Sequence, residues 1–266
     1  MQIRPPAVAG SFYPAAPAAL KTSVQALMDT ATGEYGPAPK ALIVPHAGYI
    51  YSGAVAARAY ASLASRWQQI SRVVLLGPAH YVAVAGLALP GVDHYASPLG
   101  TVALDSEAIS GLRGLPQVLD SRAAHAREHS LEVQLPFLQA LLGDFQLVPL
   151  AVGEAEPAVV AEVLDKLWGG PETLILISSD LSHFLDYAQA RVVDGATARV
   201  IENRSGPLNH HQACGATPIN GLLEVARRRD LQVRVLDLRN SGDTAGSRDR
   251  VVGYGAFGFY DQALSA

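Results

Sequence analysis

Apolar residues fall along this chain in two periods. Four short runs are apolar at nearly every position: KALIVP (40–45), RVVLLG (72–77), FQLVPLAVG (145–153) and TLILISS (173–179). Such runs predict strands covered on both faces. Between them, apolar residues recur at helical spacing. This predicts helices near 17–31 and over SGAVAARAYASLASR (52–66), LEVQLPFLQALLG (131–143), PAVVAEVLDKLW (157–168), ARVVDGATARVIENR (190–204) and TPINGLLEVARRR (217–229). Ser52 is placed to cap its helix, Pro157 to begin one and Gly143 to stop one. LQVRVLDL (231–238) and VVGYGAFGFY (251–260) predict late strands. GLALPGVDHYASPLGTVALD (86–105) mixes alternation with turn residues and predicts an excursion of paired short strands. Buried strands alternating with helices define an α/β class. The expected architecture is a three-layer α/β/α sandwich around a mostly parallel or mixed sheet, in one domain over residues 1–266.

Composition supports a packed core. Hydrophobic residues make up 49% of the chain and charged residues 17%, far from a disordered composition. The net charge of −4 gives no basic surplus, so no nucleic-acid role is expected. The basic run Arg227–Arg229 ends a predicted helix, where cations offset the dipole and stay solvated. No apolar run reaches the ~18–20 residues of a membrane span. The N-terminus lacks a signal-peptide core, and the single cysteine, Cys214, cannot form an intrachain disulfide. A cytoplasmic, membrane-free setting is the expectation.

In open α/β sheets, ligands bind outside the carboxyl ends of the strands. His46 follows ALIVP, His80 follows RVVLLGPA, and Asp180 and His183 follow TLILIS. A single histidine after a strand is an ordinary loop residue; three in equivalent places point to a shared site. In HAREHSLEVQLPF, His125 and His129 lie four apart, as do Glu128 and Glu132. The glutamates suit a solvated helix start, and His129 suits a group reaching the site as a proton donor. In NHHQACGATPING, Cys214 precedes a predicted helix, whose dipole favours a thiolate. A small buried hydrophobe is the competing reading for a lone cysteine. Imidazole and thiolate together suit iron, zinc or copper rather than magnesium or calcium. No phosphate-binding G-x-x-x-x-G-K-[ST] loop and no G-x-S-x-G nucleophile elbow occurs.

AVAGSFYP (7–14), PHAGYIYSG (45–53), GPAH (77–80), EHSLEVQLPFL (128–138), SSDLSH (178–183) and CGATPI (214–219) resemble, in order, the motifs of the Memo family. Its bacterial and archaeal members are labelled AmmeMemoRadiSam system protein B. The resemblance implies a fold like that of class III extradiol ring-cleaving dioxygenases. It also implies metal ligands at His46, His80 and Cys214, an acid–base role for His183, and His129 and Asp180 as further polar groups of the site. The implied metal is iron (Fe2+), with copper or zinc as alternatives. A thiolate in place of the dioxygenase carboxylate alters charge donation to the metal and adds an oxidisable ligand. The expected activity is that of a metal-dependent redox protein, an oxygenase or oxidase acting on a small molecule or modified residue. The alternatives are a non-catalytic module binding a peptide or protein in the same cleft, and a zinc-dependent hydrolase. The family label implies radical-SAM and Ammecr-type proteins as partners.

Overall fold

The apolar runs become strands and the helically spaced segments become helices. The computed structural model describes residues 1–31, 33 and 36–261. From the N-terminus, β1 (Ile3–Arg4), α1 (Pro17–Thr30), β2 (Ala41–Val44), α2 (Tyr49–Ala61) and β3 (Arg72–Pro78) lead into three short strands. These are β4 (Leu87–Leu89), β5 (His94–Ser97) and β6 (Gly100–Ala103). Next come α3 (Ser106–Leu112), β7 (Val118–Asp120), α4 (Arg122–Ala126), α5 (Leu135–Leu142), β8 (Gln146–Val152) and α6 (Pro157–Leu167). The remainder is β9 (Thr173–Ser178), β10 (His183–Leu185), α7 (Tyr187–Glu202), α8 (Ala216–Arg228), β11 (Gln232–Asn240) and β12 (Val251–Tyr260).

A mixed sheet runs β10-β12-β2-β9-β3-β8-β4-β7, with β11 along the other side of β12. Its centre, β2-β9-β3-β8, is parallel. Every residue of β2 and β9 is buried, as expected for a sheet sandwiched between helices. Helices α1, α2 and α5 pack together, and α6 packs on α8 to form the other layer. This is the three-layer sandwich the pattern predicts. The 86–105 excursion divides. Strand β4 joins the main sheet, whereas β5 and β6 form a hairpin that pairs with β1 in a separate three-stranded sheet.

Three helix starts differ from expectation, α7 by beginning at Tyr187 with Asp186 as its N-cap. Helix α2 begins at Tyr49 and not at Ser52, with Gly48 as its N-cap. A tertiary contact takes over the capping: the Tyr49 amide donates to the Phe12 carbonyl at 2.8 Å. Ser52 instead donates its hydroxyl back to the Ala47 carbonyl. The 131–143 segment opens as a 3₁₀ turn, Glu132–Gln134, before α5 begins, and Gly143 ends it at φ 71°. Pro157 does begin α6, and Arg227–Arg229 are exposed, two of them paired with Asp165.

Glu128 and Glu132 are not solvated helix-start residues; both are buried. Glu132 accepts hydrogen bonds from Arg4 Nη1, the amides of Ala7 and Val8 and the Tyr13 hydroxyl. Arg4, itself buried, also donates to the carbonyls of His125 and Glu128. One carboxylate and one guanidinium thus fix the N-terminal arm over the segment that carries His129. Removing one partner of a buried pair leaves the other charged and unpaired, which costs ~3–5 kcal/mol. Glu132→Gln is therefore expected to lower unfolding free energy by about that amount in urea titration. A loss below ~1 kcal/mol, the scale of an exposed pair, would contradict this role.

Candidate metal centre

The parallel strands end at one edge of the sheet, and the polar segments follow there. In register, Val44 of β2 lies beside Ser178 of β9, and Leu76 of β3 beside Ile177. His46, Asp180 and His80 therefore emerge within a few residues of one line across the sheet. The Asp180 carboxylate accepts the His46 amide at 2.8 Å, tying two of these loops together.

His46, His80 and His129 each offer a ring nitrogen, and these three atoms lie within 4.8 Å of one another. His80 stacks on His129 with ring centroids 4.7 Å apart, and His46 meets both edge-on. Glu128 holds His80 from behind. It accepts the His80 amide at 2.6 Å and His80 Nδ1 at 2.8 Å, so Nε2 carries the lone pair. Burial alone raises the Glu128 carboxyl, but the hydrogen bonds from His80 and the Ser130 amide outweigh it and bring it to about 2. His129 Nδ1 is buried and has no hydrogen-bond partner. Burial, followed by the neighbouring histidines, pushes His46 well below its ordinary range. Burial likewise lowers His129 to about 4. The imidazoles at these two positions are thus neutral at neutral pH, the form that binds a metal.

Cys214 sits just before α8, with its Sγ 3.4 Å from His46 Nε2. Two ligands of one tetrahedral ion, at ~2.0–2.1 Å for nitrogen and ~2.3 Å for sulfur, lie ~3.5 Å apart. The Asp180 amide donates to the sulfur at 3.3 Å. The helix start does not give a thiolate here. Burial, then the Asp180 carboxylate, pushes the thiol up to about 12. A bound cation reverses that balance, since a coordinating thiol loses its proton. Asp180 is itself raised to about 6, chiefly by burial.

His183 shares the wall of a cleft of about 1130 Å³ with His80 and Cys214. Its Nδ1 donates to the Leu181 carbonyl at 2.9 Å, leaving Nε2 as the proton acceptor. The apolar side of the cleft comprises Ala83, Val84, Val152, Leu185 and Val193. Phe184, next to His183, holds a left-handed backbone at φ 62° and is exposed, a conformation a bulky residue rarely adopts. His125 does not share a helix face with His129. It lies in α4, buried, donating from Nε2 to the Ala88 carbonyl and accepting the Tyr95 hydroxyl.

The donor set fits a metal: three imidazoles with ring nitrogens within 4.8 Å of one another, and a sulfur at ligand spacing from His46. The resemblance names His46, His80 and Cys214 as ligands. The geometry instead groups His129, packed against Phe12, with His46 and His80, while Cys214 lies outside that group of three and meets His46. The pattern did not single out Ser178, Ser130 or Gln134, which stand buried behind His46. The readable signal was Gln134, a polar residue inside the apolar stretch 131–143.

Fold and site together define an α/β/α protein with a three-histidine cluster, one member of which meets Cys214, at the carboxyl edge of parallel strands. The chain belongs to the Memo-like protein family, whose pattern it matches over residues 4–257. It is 35% identical to a MEMO1 family protein of Aquifex aeolicus, over 96% of this chain and 98% of that one. It is 33% identical to one from Sulfolobus acidocaldarius, over 97% of this chain and all of that one. An uncharacterized Escherichia coli K12 protein, JW3007, has a similar fold, with a TM-score of 0.50 and 17% identity, over 82% of this chain and 98% of that one.

His125 and His129 are both lowered to about 4 from an ordinary 6.5. A histidine depressed in the fold contributes stability that is full above its unfolded value and lost as pH falls through the folded one. The metal-free protein should therefore lose stability between pH 6.5 and about 4. His129→Phe should flatten part of that loss. Thermal melts at stepped pH measure it, and a wild-type melting temperature constant across this window contradicts neutral burial of these rings.

Proposed function

We propose that this chain is a metal-dependent redox protein whose ion is non-haem iron, and that it works as an oxygenase or oxidase on a small molecule or modified residue. The observation that carries this reading is the meeting of His46, His80 and His129 within 4.8 Å, with Cys214 Sγ 3.4 Å from His46 Nε2. His46, His80 and Cys214 would hold the ion, in line with the family resemblance. Iron bound there supplies one-electron redox chemistry and a Lewis acid for the substrate.

The chain's own residues do the rest. His183 holds its Nδ1 proton on Leu181 and offers Nε2 to take a proton from substrate in the cleft. Asp180 holds the His46 loop through the backbone and keeps its carboxyl in a buried place beside Cys214. His129 fills the space between His80 and Phe12 and limits access from that side. The apolar wall of the cleft excludes water from the side facing Val152 and Val193. We place this activity in the cytoplasm; among the described residues, no helix is long and apolar enough to cross a membrane. The radical-SAM and Ammecr-type partners implied by the resemblance are part of the same proposal.

The three-imidazole cluster supports a second reading, a zinc hydrolase, because three histidines with one open position suit catalytic zinc. Cys214 separates the two. Protein purified without oxygen is expected to carry iron, to lose it in His46→Ala and Cys214→Ser, and to keep it in His183→Ala. Once a substrate is known, His183→Ala should be ~10²–10⁴-fold slower, the usual share of proton transfer. Elemental analysis of the four proteins is the test. Stoichiometric zinc that survives Cys214→Ser favours the hydrolase. Metal retained in all three variants contradicts a centre at His46.

A further inference from the structure

We infer that the Ser178 hydroxyl is a positioning group that fixes His46 in the Nδ1–H tautomer, leaving the Nε2 lone pair facing Cys214. The inference follows from counting donors and acceptors in a network from which solvent is excluded. Ser178, Ser130 and Gln134 are each 0% exposed and His46 is 2% exposed.

Two backbone carbonyls, which only accept, decide every proton in the network. The first is Pro45 O, 3.0 Å from the Gln134 side-chain nitrogen. It identifies that atom as the Nε2 amide, and the Tyr60 hydroxyl donates to the amide oxygen on the other side at 2.7 Å. Gln134 Nε2 then donates its second proton to Ser178 Oγ at 2.8 Å. The second carbonyl is Ser130 O, 2.6 Å from Ser178 Oγ. It takes the one proton a serine hydroxyl has. Ser178 Oγ also lies 3.0 Å from His46 Nδ1. With its proton spent on Ser130 and one lone pair filled by Gln134, Ser178 can only accept from His46. Nδ1 therefore carries the hydrogen. Nε2, 3.4 Å from Cys214 Sγ, has the free pair.

The reverse tautomer would set a lone pair of Nδ1 against a lone pair of Ser178 and turn an N–H toward the cluster. Glu128 imposes the same tautomer on His80 through its Nδ1. Both imidazoles are thus set from behind, one by a carboxylate and one by a serine. A ring held this way binds a metal without first moving a proton between its nitrogens.

The tautomer claim stands apart from the metal reading; only its effect on affinity rests on that reading. Long-range ¹H–¹⁵N correlation on the metal-free full chain at neutral pH reports the tautomer of each of the eight histidines. Wild type is expected to show His46 protonated at Nδ1. Ser178→Ala is expected to lose that preference, because Nε2–H can then donate to Cys214 Sγ, while His125 keeps its pattern as a marker of intact folding. Ser178→Thr, which keeps the hydroxyl, should restore it. Gln134→Met should keep it, since Ser130 still takes the hydroxyl proton. Anaerobic Fe(II) titration against a competing chelator should show Ser178→Ala ~10–100-fold weaker than wild type. Wild-type His46 protonated at Nε2 overturns the inference. So does a Ser178→Ala protein with unchanged tautomer and unchanged Fe(II) affinity. Should Ser178→Ala not fold, the wild-type and Gln134→Met spectra decide: loss of the Nδ1 proton in either is the contrary result. A clear tautomer effect with no Fe(II) binding by wild type removes the metal reading and leaves the tautomer assignment intact.

Discussion

The parallel pairing of β2, β9 and β3 is the constraint on which the site depends. Parallel strands in register end together, so the loops that leave them begin at one edge. Val44 beside Ser178, and Leu76 beside Ile177, put the three exits within a residue or two of a common line. A slip of one residue in any pairing would turn the following side chains to the opposite face. It would also part the His46 amide from the Asp180 carboxylate. The apolar side chains of these strands fix the register, and the register fixes the site.

Behind the imidazoles lies a second requirement: polar groups buried at the sheet end must all be paired. Glu128, Ser130, Glu132, Gln134 and Ser178 are buried, and each takes part in hydrogen bonds to the backbone or to another member of the set. Buried polar groups left without partners are costly, so such a network has few alternative arrangements. His129 Nδ1 and Ser182 Oγ are the exceptions in this region, and the Glu128 carboxylate lies 3.5 Å from the first of them.

Much of the fold was legible because the central strands are apolar at nearly every position and their helices carry clear stops, Gly143 among them. The convergence of His46 and His80 could be argued from one rule about strand ends. Other features required coordinates. The start of α2 is set by Phe12, a residue 37 positions from Tyr49, so no local cap could reveal it. Glu128 and Glu132 looked like a charged helix start because their partners, His80 and Arg4, lie far away in sequence. The dipole argument for a Cys214 thiolate was sound for an exposed helix end; burial and Asp180 outweigh it here. Ser178 is a lone hydroxyl at the end of an apolar strand, and its importance appears only when its three neighbours are counted.

The central claim is that one ion sits between His46, His80 and Cys214 at the carboxyl edge of the sheet. Anomalous diffraction at the iron edge, from crystals grown and loaded without oxygen, tests it most directly. The account predicts a single strong peak ~2.0–2.3 Å from His46 Nε2, His80 Nε2 and Cys214 Sγ, the range of metal–nitrogen and metal–sulfur bonds. A peak bound by the three histidines with the sulfur outside bonding range, or no peak at this edge in iron-replete protein, would contradict it.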